Sequence, residues 1–432
     1  MSFWSKLTPK HGKKPSLSEG SAGVNPSNRV PPPLSPLRDQ HPTPADAATK
    51  IRLSILATAL VDALGGPPEF HKRFTFDLVT TMMPNENFDL PAGVWTDDTS
   101  MTLCLARSIA TYVPVEDSGG FKSQNVVPGG FDERHQLDAY TNWHRYGRLS
   151  AIGYCFDIGN TIGRALRIYQ AHGADGILAR IEKELGADSN AGNGSLMRVL
   201  PVGLTYWRDT QEAAKYARRS SATTHPTAMC LEACEMWTQL IALVVYQSSL
   251  NIESEYSKLN LLDYIAKFPY TNEKLRNALV VPAGTPPCRE DEDLEEYYRT
   301  HHPILSVITE TQLGTPIDKD IFPYSLPSAK QILSSGYVLH TLIAALYCFF
   351  ATTTFEHGAI MAVNLGDDAD TVGAVYGGLA GCWYAGYDDN VEGVFWTKRV
   401  REWRKTLVKR SLVQEVAEEV VQFSERLGKS SQ

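Results

Sequence analysis

Beyond Lys50, apolar side chains recur at intervals of three and four over most of the chain, the spacing of helices with one buried face. The clearest runs are Ile51–Leu64, Met101–Tyr112, Ile152–Gln170, Gln211–Arg219, Pro226–Tyr246, Gly336–Thr352 and Thr371–Tyr384. Alternating strand-like runs between Gly or Asn-Gly turns are hard to find, so the pattern predicts an all-α protein. The most apolar stretch, Gly336–Phe350, is short and carries His340 and Thr341. It reads as a buried core helix, since no run approaches the ~18 uninterrupted apolar residues of a membrane span.

Three stretches break the pattern. Residues 1–48 hold nine of the 25 prolines, Pro31-Pro32-Pro33 among them, with many Ser and Lys. Such a stretch cannot bury enough apolar surface to offset its ordering entropy, so it reads as a disordered tail. Its proline-rich part could dock an SH3-type partner or carry a targeting signal, but a solvated tail is the simpler reading. Residues 113–135 look like a loop, with Gly119-Gly120 and Gly129-Gly130. Residues 252–330 look inserted: an amphipathic helix over Ser257–Phe268, a break over Pro282–Pro287, and the acidic run Glu290–Glu296, expected to be a solvated helix face.

Composition narrows the class. At 43% apolar and 21% charged over 432 residues, the chain is neither collagen-like nor wholly disordered. The net charge is −8, although residues 1–50 carry +4. An acidic body does not favour direct nucleic-acid binding and suits metal ions better than polyanions. Seven scattered cysteines without a C-x-x-C pair argue against a disulfide framework or a zinc cluster. A reducing, intracellular and most simply cytoplasmic location is expected, with no secretory signal pattern.

Two motifs carry candidate chemistry. Trp95-Thr96-Asp97-Asp98-Thr99 runs directly into a helical stripe of Met101, Cys104, Leu105 and Ile109, which makes Thr96 or Asp97 the N-cap. Gly366-Asp367-Asp368-Ala369-Asp370-Thr371 opens a second helix with glycines at 373, 377 and 381. Each interior glycine costs roughly 0.5–1 kcal/mol relative to alanine. Three at four-residue spacing make sense where the helix backbone presses on a neighbour. Elaborate capping is one explanation for the five Asp of the two motifs; but capping needs one carboxylate and adjacent carboxylates repel, so jointly they favour a cation site. Five acidic groups and neighbouring threonine hydroxyls, without His or Cys, are hard oxygen ligands that select Mg²⁺, Mn²⁺ or Ca²⁺. Two such helix starts could bracket a two-metal centre with ions ~4 Å apart.

Three weaker elements accompany them. Glu69 follows the helix end Asp62-Ala63-Leu64-Gly65-Gly66 on a loop, where an exposed carboxylate is the simple expectation. Asn193-Gly194-Ser195-Leu196-Met197-Arg198 resembles a turn opening a helix, with N–H groups free for phosphate. His225, in Thr224-His225-Pro226, is by itself most simply a cap or core group.

The order of these motifs resembles the ADP-ribosylglycohydrolase family: Asp62-Ala63-Leu64-Gly65 with Glu69, Thr96-Asp97-Asp98-Thr99, Gly192-Asn193-Gly194 with Met197-Arg198, Thr224-His225, and Asn364-Leu365-Gly366 with Asp368-Ala369-Asp370-Thr371. The resemblance spans about residues 51–386. It implies a single compact all-α domain, here 49–428, with a binuclear Mg²⁺ or Mn²⁺ cleft. It implies hydrolysis of the bond joining ADP-ribose to a protein side chain, arginine slightly ahead of serine, or of a small ADP-ribosyl conjugate; separately, a monomer is expected. Thr96, Asp97, Asp98, Asp368, Asp370 and Thr371 would be the metal ligands. Asp98 and Glu69 would be catalytic, and Asn193, Gly194 and His225 would line the ADP-ribose cleft. Val61 stands where the family usually has glycine, and Asp367 where a second glycine is common. Two alternatives are a non-catalytic ADP-ribose binder of the same fold and, more remotely, a Mg²⁺-dependent prenyl or terpene synthase. The latter needs an Asp-rich run along a helix rather than at its start.

Overall fold

The computed structural model describes residues 35–114, 128–250, 255–386 and 392–430. Its α-helices in chain order are α1 (Ala47–Gly65), α2 (Asp97–Thr111), α3 (Glu133–Tyr146), α4 (Asn160–His172), α5 (Ile177–Leu185), α6 (Leu200–Thr205), α7 (Thr210–Ala222), α8 (Ala228–Ser249) and α9 (Lys258–Lys267). They continue with α10 (Glu273–Leu279), α11 (Leu294–His301), α12 (Pro303–Gln312), α13 (Val338–Ala351), α14 (Phe355–Val363), α15 (Ala369–Tyr384), α16 (Lys398–Thr406) and α17 (Arg410–Ser430). Among the described residues the β-structure is confined to isolated bridges, one of them joining Lys72 to Gly366.

The glycine stripe marks the centre of the molecule. Every residue of α15 is buried, and its glycines lie directly against α1. A methyl on Gly377 would sit 2.6 Å from the Ala57 carbonyl oxygen, and one on Gly381 2.7 Å from the Ser54 Cα. Val61, standing in for the family glycine, packs its own backbone and γ-methyl against Gly373. The contact leaves no room for a side chain, so Gly377→Ala should cost about 1–3 kcal/mol of overpacking. A lowered urea midpoint is the expected reading, and an unchanged one would mean that the two helices part without penalty. The close approach also sets the N-terminus of α15 beside the C-terminal end of α1: a methyl on Gly65 would meet the Asp370 Cα at 2.5 Å.

Helices α8 and α13 flank this pair, and α17 crosses α1 and α2 with Val413, Val416, Val420 and Val421 buried. By length and composition the 22-residue α8 could cross a membrane. Instead it is mostly buried inside the molecule, against α6, α7, α13 and α15.

Three expectations change. The proline-rich stretch was expected to be a solvated tail through residue 48, and residues 1–34 lie outside the described residues. From Ser35 onward the segment is docked: Leu37 is buried with its N–H donating to Glu295 Oε1 at 2.9 Å, and Thr43 N–H donates to the Trp383 carbonyl at 2.8 Å. In the acidic run Glu290, Asp291 and Glu296 are exposed, as expected of a solvated face, but two of its carboxylates are engaged. Asp293 caps α11, while Glu295 is buried and pairs with Arg38 and Arg299. The 252–330 segment forms α9 to α12, packed on α13 and on the docked N-terminal strap. Finally, the helix expected over Ile152–Gln170 begins only at Asn160. Gly153 and Asp157 adopt φ of 85° and 46°, and Gly159 is the N-cap of α4, so the first part of that run is a loop. Of the loop expected at 113–135, residues 115–127 lie outside the described residues and the end already belongs to α3.

Candidate active site

Asp62, on the last turn of α1, decides what the Thr96-Asp97-Asp98 motif is for. Its Oδ1 accepts from Thr96 N–H at 2.9 Å, and its Oδ2 from Thr99 N–H at 3.0 Å and the Thr99 hydroxyl at 2.5 Å. A side chain from a different helix thus satisfies the orphan donors at the start of α2. Thr96 is the N-cap, and its side chain makes no capping bond. The same holds at α15, where the N-cap Asp368 makes no side-chain capping bond. At neither helix start does the N-cap side chain cap its own helix.

Those carboxylates converge. Asp98 Oδ2 accepts from the Thr96 hydroxyl at 3.1 Å and from the Thr371 hydroxyl, across the two helix starts, at 3.2 Å. Asp368 Oδ2 accepts from Asn193 Nδ2 at 2.6 Å. Glu69, Asp157 and Asp370 each bring a carboxylate oxygen within 4.8 Å of the other two. Glu69 was expected to be exposed on its loop. It is buried, because the loop folds back over the start of α15, with Phe70 N–H donating to the Asp367 carbonyl at 2.7 Å. Asp367 itself has a φ of 55°, the left-handed conformation that explains why glycine is common at this position.

The electrostatics are those of an uncompensated acidic cluster. Burial, with neighbouring carboxylates adding repulsion, pushes the pKa values of Asp97, Asp98, Glu69 and Asp370 well above the carboxylate range. Asp157 is pushed up to about 6 by burial and by Asp368. Burial raises Asp62 to about 6 against the pull of its hydrogen bonds from Thr99 and Thr96. Three buried oxygens, Glu69 Oε2, Asp98 Oδ1 and Asp370 Oδ1, have no hydrogen-bond partner. Buried acceptors without partners are costly, and a cluster of them with like charge is stable only if protonated or bridged by a cation. The donor set of carboxylates and threonine hydroxyls fits Mg²⁺ or Mn²⁺.

Above the cluster opens a cleft of about 520 Å³. Glu69, Asp97, Asp157, Asp367, Asp368 and Thr371 line it together with the Gly192-Asn193-Gly194 turn and His225. No lysine or arginine is among the described residues lining it. A methyl on Gly194 would meet His225 Cε1 and Ile162 Cδ1, both at 2.8 Å, so only glycine keeps this wall open. The His225 ring is neutral: burial, reinforced by the nearby Arg198, lowers its pKa to about 3. The expected helix after the turn is only the short α6, and Arg198 does not face the cleft. It is fully buried and donates to the carbonyl of Gly194 at 2.5 Å and to the Thr224 hydroxyl at 2.7 Å, which shapes the turn. Every expected site residue therefore lies at or beneath one cleft. Two residues escaped the sequence reading. Asp157 was hidden inside an apparent helix, although Gly153 and Gly159 on either side were signals of a loop. Asp62 carried no role because its partners come from another helix.

A family model for ADP-ribosylglycohydrolase matches residues 43–429. The chain belongs to the ADP-ribosylglycohydrolase family. It is thus a hydrolase, and the prenyl synthase alternative falls away. The ADP-ribosylarginine hydrolase Tri1 of Pseudomonas putida is 30% identical over 372 residues, covering 85% of this chain and 80% of that protein. The ADP-ribosyl-[dinitrogen reductase] glycohydrolase of Rhodospirillum rubrum is 26% identical, covering 79% of this chain and 87% of the relative. A solved structure described as an ADP-ribosylglycohydrolase-related protein complex aligns with a TM-score of 0.53 at 29% identity, over 87% of this chain and 99% of its own. The family's all-α fold is the fold described above.

Proposed function

We propose that this enzyme removes ADP-ribose from modified arginine side chains of proteins, using two divalent cations, Mg²⁺ or Mn²⁺. The observation that carries the proposal is the buried acidic cluster beneath the cleft, whose carboxylates are consumed neither by capping nor by ion pairs. Thr96, Asp97, Asp98, Asp368, Asp370 and Thr371 would hold the cations. Bound there, such ions orient ribose hydroxyls and acidify a water. The protein's own residues do the rest. Glu69 Oε2 and Asp98 Oδ1, both unpartnered, are placed to accept the proton of the attacking water or to deliver one to the leaving nitrogen. The surrounding carboxylates stabilise the oxocarbenium-like charge that develops at the ribose carbon. Asn193, Gly194 and His225 line the same cleft, and ADP-ribose would lie against them, in a cleft sized like other small-molecule sites (about 300–1,000 Å³). A diphosphate in a cleft without Lys or Arg needs cations and N–H donors, which is consistent with the same assignment. The seven unpaired cysteines suit an intracellular enzyme.

Arginine is favoured over serine for two reasons. The relatives from Pseudomonas putida and Serratia proteamaculans are named ADP-ribosylarginine hydrolases. In addition, Asp157 sets a carboxylate on the cleft wall, where a cationic guanidinium would find a partner and a serine oxygen would not. With Mg²⁺, arginine-linked ADP-ribosyl peptide should be cleaved and serine-linked peptide left largely intact, and EDTA should stop release. Asp157→Asn should lower kcat/KM on the arginine linkage by about tenfold to a hundredfold, the worth of one charged hydrogen bond (~1.5–3 kcal/mol). An equal loss on both linkages would make Asp157 a cation ligand instead. Affinity for ADP-ribose without release would leave the chain a binder.

A further inference from the structure

The loop that carries Glu69 continues through Phe70 to Phe74, and burial of its two phenylalanines is not what holds this flap. Phe70 and Phe74 are 64% and 65% exposed, and both adopt the left-handed backbone conformation, with φ of 64° and 66°. Side chains other than glycine rarely settle there, so something else must fix the flap. Between the two phenylalanines lies Arg73, 6% exposed. Its Nε donates to the Leu365 carbonyl at 2.9 Å, its Nη1 to the Pro327 carbonyl at 2.6 Å, and its Nη2 to the Ile332 carbonyl at 2.7 Å and the Ser334 hydroxyl at 3.4 Å. All four acceptors are neutral and come from two separate stretches of chain. A buried guanidinium that uses its whole fork on backbone and hydroxyl oxygens serves geometry rather than ion pairing.

Those two stretches are parts of the cleft. Leu365 immediately precedes the turn Gly366-Asp367-Asp368. The Ser334 carbonyl accepts from Asp368 N–H at 2.9 Å, and the Ser334 hydroxyl lies 3.1 Å from the Leu365 carbonyl. Ser335 and Gly336, which follow, line the cleft. We propose that Arg73 is a positioning residue that clamps the Glu69 flap to the Asp368 turn and to the 327–336 loop, and thereby sets how tightly the cleft holds a divalent cation. The inference rests on the cation reading given above. It also gives the chain that leads out of the 252–330 segment a place in the site, through the Pro327 carbonyl.

The test uses the full-length protein stripped with EDTA, with thermal unfolding followed as MgCl₂ or MnCl₂ alone is titrated. Wild type should be stabilised with a defined midpoint. Arg73→Met should shift that midpoint to about tenfold higher cation or more, the usual effect of losing a partner behind a ligand. Arg73→Lys should shift it as well, because one ammonium cannot reach all four acceptors on the two stretches. Ile265→Ala, a core truncation in α9, should lower the cation-free melting temperature yet keep the wild-type midpoint. If Arg73→Met does not fold, Ser334→Ala decides, with a smaller shift in the same direction. An unchanged midpoint in these variants, or an equal shift in Ile265→Ala, overturns the clamp. Failure of the wild type to respond to either cation overturns the cation reading itself.

Discussion

Replacing Asp97 and Asp98 together by asparagine should abolish ADP-ribosyl hydrolysis while making the cation-free protein more stable. The two effects have one cause. Both carboxylates are buried, and repulsion from Asp62, Asp157 and Asp370 adds to the cost of their charge. Asparagine keeps the shape and removes two like charges from a site where desolvation already penalises them. Melting in EDTA should therefore rise, with helical circular dichroism unchanged. The same substitution removes carboxylates expected to grip cations worth several kcal/mol to the transition state. At ~1.4 kcal/mol per tenfold, turnover should fall by about three orders of magnitude or more. Stabilisation by added Mg²⁺ should disappear in parallel. A double variant that hydrolyses arginine-linked ADP-ribose at the wild-type rate would remove the first motif from the catalytic site.

The second large effect is a pH dependence of stability that metal offsets. Asp157 and Asp62 are each pushed up to about 6 in the folded protein, and Glu69, Asp97, Asp98 and Asp370 are pushed higher. In the unfolded chain an Asp titrates near ~3.9. Between these values the folded state binds more protons than the unfolded one, so stability falls as pH rises. Below the unfolded value both states are protonated and the penalty is absent. As far as these groups decide it, the melting temperature in EDTA should thus begin to fall above about pH 4 and decline through pH 6 toward pH 8. Cations bind only the deprotonated ligands, so stabilisation by saturating Mg²⁺ should grow over that same interval and offset the decline. Differential scanning fluorimetry across pH, with and without Mg²⁺, makes the comparison. A flat profile in EDTA would show that the cluster is not strained by its own charge.

Much of this protein was legible along the chain. Helical period, the glycine stripe of Gly373, Gly377 and Gly381, and the two Asp-rich helix starts are local features. They depend on hydrogen bonds and contacts a few residues away, and the sequence displays them directly. The order of the motifs pointed to the family. The sequence alone could not say which side chain caps α2, because Asp62 is 34 residues from Thr96. Nor could it show that Asp98 meets Thr371, 273 positions away, or that Arg73 reaches Ile332 across 259. Asp157 was misplaced because the apolar spacing around it imitates a helix, while the backbone at Gly153 and Asp157 takes positive φ and the helix starts only after Gly159. The chemistry of a carboxylate depends on its neighbours and on its distance from water. Covalent order does not specify either of these, so the identity of the acidic residues was written in the sequence, and their desolvation, mutual repulsion and unpartnered oxygens arose only when distant helix ends were brought together.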